Sequence, residues 1–134
     1  MTYYIFLPCF QESGKLQEII EKRRTVLAKY HHTLQPFVAA IGRPKQLPRQ
    51  YLIIIDKQTY ETKSAVEALD ACFKIFFAVN SKYPSECRHL WLIIQRCVYQ
   101  YEDPADYKND KGLKSLIAGM LKSFNTYIES LASN

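Results

Sequence analysis

The sequence predicts an α+β fold: a small, mostly antiparallel sheet packed against about four helices, in a single domain spanning residues 1–134. Three observations predict it. Short β-prone runs, Tyr3–Leu7, Phe37–Ile41 and Tyr51–Asp56, are bounded by proline, glycine or charge, as strands are. Four longer segments carry apolar residues at intervals of three and four, the period of a helix with one buried face. The chain is 48% hydrophobic over 134 residues with only 4 Gly and 6 Pro. That is enough to bury a core without disulfides or metal, and too apolar for disorder.

Taken in order, TYYIFL at Thr2–Leu7 is aromatic and β-prone, and Pro8 ends it or places it on a sheet edge. A helix follows from about Ser13 to His31, with Leu16, Ile19, Ile20, Val26, Leu27 and Tyr30 on its apolar stripe. Arg23 stands where that stripe expects an apolar residue. FVAAI at Phe37–Ile41 reads as a strand, and Gly42–Gln50 as a basic, proline-containing loop. The continuous run YLIIID at Tyr51–Asp56 has the density of an interior strand covered on both faces. These two strands are expected to pair as a hairpin, with Lys57–Thr62 leading away from the sheet.

Ser64 and Glu67 have the spacing of a capping box. The helix they open is apolar nearly all round to Val79, which marks it as the central helix, buried on several sides. Pro84 suits the first turn of the next helix, whose stripe is Cys87, Leu90, Trp91, Ile94, Cys97, Val98 and Tyr101. Residues 102–110 (EDPADYKND) read as an acidic linker, and Asn109 or Asp110 is placed to cap the last helix. That helix carries Leu113, Leu116, Ile117, Met120, Leu121, Phe124, Tyr127, Ile128 and Leu131. So long an apolar face must dock, either on its own domain or on a second copy.

Four cysteines (Cys9, Cys72, Cys87, Cys97) show no C-x-x-C spacing, and no run approaches the roughly 20 residues of a membrane span. Tyr3–Phe10 lacks the basic start and cleavage site of a secretory leader. The expected compartment is a reducing one, cytoplasm or nucleus. Cys87 and His89, two apart on a helix, point in different directions, and His31 or His32 reaches a thiol only through the fold. The spacing of Cys and His fits no zinc finger, ribbon or knuckle. Glycine-rich phosphate loops are missing, and Asp56 has the position of a turn residue. No catalytic residue, metal, cofactor or small-molecule substrate is expected.

Charge is the positive signal. Residues 11–50 hold eight Lys or Arg against three Glu, so they carry the whole formal net charge of +5. Lys15, Lys22, Arg23, Arg24, Lys29, Arg43, Lys45 and Arg49 form a candidate surface for phosphates or an acidic partner. The other reading of the same residues is a solvated helix face, eased by Glu18 and Glu21. The second candidate is assembly through Leu113, Leu116, Met120, Leu121, Phe124 and Tyr127, with the last helix exchanged or paired between copies.

Asp56-Lys57, Tyr60-Glu61, Ala68, Asp70, Cys72-Phe73-Lys74, Asn80, Lys82-Tyr83-Pro84, Trp91 and Gln95 together resemble a segment near the C-terminus of uncharacterised animal proteins. Some of those are transposon-derived or sterile-alpha-motif-containing. The likeness covers residues 55–95. It implies an adaptor-like or mobile-element-associated module, nuclear in location, and transfers no catalytic residues. The leading functional expectation is therefore a non-catalytic protein–protein interaction or self-association module, a homodimer included, within a nucleic-acid-related assembly. The alternative is direct nucleic-acid binding through the basic helix and loop of residues 15–49.

Overall fold

The computed structural model describes residues 2–5, 11–13, 16–43, 46–108 and 110–133. Strands β1 (Thr2–Ile5) and β2 (Gln11–Ser13) precede helix α1 (Leu16–Ala28), and β3 (Phe37–Gly42), β4 (Gln50–Ile55) and β5 (Gln58–Thr62) follow it. Then come α2 (Ala65–Ala78), a 3-10 turn at Ser85–Cys87, α3 (Arg88–Cys97), a second 3-10 turn at Pro104–Tyr107, and α4 (Lys111–Ala132). The class is α+β, as the two periodicities predict. The chain forms two compact units, Met1–Glu86 and Cys87–Asn134.

In the first unit the sheet has five strands in the order β2-β1-β3-β4-β5, and every neighbouring pair is antiparallel. β3 is the middle strand, and all six of its residues are buried. A continuous apolar run, FVAAIG, suits a strand covered on both faces. β4 pairs with it from Phe37↔Ile54 to Ile41↔Gln50, which is the expected hairpin. Next to the strand ends the Arg49 N–H donates to the Ile41 carbonyl, 2.8 Å. A Cβ on Gly42 would lie 2.9 Å from the Pro48 Cα, so the strand end tolerates glycine alone.

Two strands correct the sequence reading. Gln11–Ser13 pairs with β1, so α1 begins at Leu16 and not at Ser13. Residues 58–62 do not lead away; they form β5, in register with β4 from Ile55↔Gln58 to Tyr51↔Thr62. An exposed edge strand reads QTYET and needs no apolar alternation, which is why periodicity is silent there. Asp56, with φ 50, occupies the two-residue turn between β4 and β5, the role its position suggests.

α2 lies against β3, β4 and β5 through Ala68, Cys72, Phe73 and Phe76, all buried. Val66, Phe77 and Val79 on its other side are exposed, so it is covered on one face and not on several. Ser64 Oγ accepts from the Glu67 N–H at 3.1 Å, while the Glu67 carboxylate accepts from the Lys63 N–H at 2.8 Å. The capping box is therefore closed one residue early. α1 and α2 end alike. His31 and Asn80 adopt left-handed φ of 56 and 49, while His32 donates to the Leu27 carbonyl and Ser81 to that of Phe76. These are Schellman caps, so His31 serves as a helix stop.

In the second unit α3 buries Trp91, Leu92, Gln95 and Cys97, a face shifted from the predicted stripe by the inclusion of Gln95. Val98 and Tyr101, beyond its end, are exposed. The acidic segment is a folded turn and not a loose linker. Asp103 accepts from the Ala105 N–H at 2.9 Å and Asp106 accepts from the Asp103 N–H at 3.2 Å. Gln95 Nε2 donates to Asp106 Oδ2 at 2.7 Å, Arg88 donates to the Asp106 carbonyl, and Arg96 pairs with Glu102 at 3.3 Å. Asp110 caps α4 by accepting from the Leu113 N–H at 2.9 Å; Asn109 lies outside the described residues.

Candidate functional site

Of the eight basic candidates, Lys15 and Lys45 lie outside the described residues. Lys22, Lys29, Arg43 and Arg49 are exposed. The two arginines at the centre of the cluster are engaged within the first unit. Arg23 pairs with Glu86 at 3.0 Å, a residue 63 positions away. Arg24 pairs with Glu21 at 2.6 Å and donates to the Asp56 carbonyl, with the Asp56 carboxylate 3.8 Å away. The interruption of the α1 stripe at Arg23 is thus an ion pair across the fold. A guanidinium already facing a carboxylate has less to offer a phosphate, so the cluster is weaker as a polyanion site than its sequence suggests.

That ion pair has a pH signature. Burial pushes the Glu86 carboxyl up, but its own backbone N–H and the Arg23 guanidinium outweigh burial and hold it below the ordinary range. A depressed folded pKa contributes stability above the unfolded value of about 4.3, and loses it as pH falls through the folded value. Wild type is expected to exceed Glu86→Gln in stability at neutral pH, with the difference vanishing on acidification below pH about 4. Urea midpoints measured across that range check it; a constant difference would remove the pairing account.

Near these residues the first unit has a shallow groove lined by His32, Gln35, Asp56, Asn80, Lys82 and Glu86, among others. Its polar groups already have work: Gln35 donates to the Lys82 carbonyl at 2.6 Å and Glu86 holds Arg23. No thiol lines it. Among the described residues no cluster of three or more His, Cys, Asp or Glu is placed to hold a metal, and no helix is long and apolar enough to cross a membrane. Burial pushes the Cys97 thiol up, only partly countered by Arg96, which disfavours the thiolate needed for nucleophilic chemistry.

α4 presents the larger feature. Its 22 residues make a rod of about 33 Å, whereas α3 has 10 residues and about half that length. α3 and the 3-10 turn meet α4, and the buried residues are Leu113 and Ile117, in its first two turns. Beyond them Met120, Phe124, Tyr127, Ile128 and Leu131 are 39–59% exposed, and Leu116 is 56% exposed. Leu113 therefore serves the unit's own core and leaves the candidate docking set. Leu121 is half-buried. Ile128 and Leu131 join the face; the three–four spacing that runs on to Leu131 is the signal for them.

The neighbouring small residues make this face easy to approach. Ser123 Oγ donates to the Gly119 carbonyl at 3.2 Å, Thr126 to that of Lys122 at 3.0 Å and Ser130 to that of Tyr127 at 2.6 Å. Hydroxyls satisfied on their own helix lose little when water leaves. Beside Gly119 an added Cβ would meet nothing within 4 Å, and a notch there is walled by Ser115, Leu116, Met120 and Ser123. Of the charges on the helix, Lys111, Lys122 and Glu129 fall on the opposite side at 100° per residue, while Lys114 flanks the face, its Nζ 6.0 Å from the centre of the Tyr107 ring. No family model, no curated protein and no solved structure matches the chain.

Proposed function

We propose that this chain is a non-catalytic protein-interaction module, self-association included, whose docking surface is the uncovered face of α4. One observation carries the reading. Six large apolar side chains stand 39–59% exposed along one helix face, more than any other described helix leaves exposed. A contiguous apolar face of this kind is a liability in water unless something covers it. The engagement of Arg23 and Arg24 by carboxylates favours this reading over direct contact with nucleic acid.

The test separates docking from folding. Leu116→Glu with Phe124→Glu should leave the unfolding free energy of the chain, from urea titration, within about 0.5 kcal/mol of wild type, as surface changes do. The same double variant should lose the concentration-dependent mass of the wild type in sedimentation. A variant that unfolds like a core mutant would show that these residues hold the fold, and the docking reading would go.

A further inference from the structure

We draw no further inference here: the strongest candidate, the apolar face that α4 leaves exposed from Leu116 to Leu131, belongs to the docking surface already described, and nothing in the structure shows what covers it.

Discussion

Replacing Phe76 by alanine is expected to remove about 3–5 kcal/mol of stability, the range for deleting a fully buried aromatic ring. Phe76 is 2% exposed and sits on the face of α2 that meets the sheet. Its ring makes an edge-to-face contact with Tyr83, 5.0 Å between centroids at 87°. Alanine leaves a cavity the surroundings fill only in part, and it removes the quadrupole contact as well. A domain holds some 5–15 kcal/mol in all, so the urea midpoint should fall by a large fraction. Val66, on the same helix but 77% exposed, is the control. Val66→Ala should change nothing or add slightly, because alanine is the better helix former. Equal losses at both positions would contradict the one-sided burial of α2.

Asp106→Ala is expected to cost about 2–3 kcal/mol, more than an exposed acidic residue ordinarily could. The Asp106 carboxylate accepts from Gln95 Nε2, 2.7 Å, and from the Asp103 N–H, 3.2 Å. It closes the capping box of the turn before α4 and gives the amide of Gln95, a residue 2% exposed, a charged partner. Its loss takes the charged partner from Gln95 Nε2, whose bond to the Tyr101 carbonyl is longer at 3.4 Å, and frees the first turn of the 3-10 helix. Asp106→Asn, which keeps an acceptor, should recover about half of the loss. The single tryptophan, Trp91, lies buried in this unit, so its fluorescence reports the unfolding. A midpoint unchanged by Asp106→Ala would show that the acidic segment is a tether after all.

Local rules read well from this sequence where the cause is local. Ser64 and Asp110 cap their helices because a side-chain oxygen two or three residues ahead of an N–H needs no tertiary help. The β3–β4 hairpin follows from two dense apolar runs close in the chain. β5 is invisible to the same reading, because its pairing partner supplies the order while its side chains face water. Gln95 is missed because a polar amide breaks an apolar pattern even when its burial is satisfied by a carboxylate eleven positions on.

The amino-acid order by itself determined the α+β class, the β3–β4 pair, the N-terminal caps of α2 and α4 and the apolar face of α4. Those depend on backbone geometry and on neighbours a few residues apart. Only the tertiary structure decided how far along α4 that stripe is covered, which arginines of the basic cluster meet carboxylates, and that residues 58–62 join the sheet. Burial and ion pairing are properties of groups brought together across the fold. Periodicity says which side of a helix is apolar, but the length of its neighbour says how much of that side is covered.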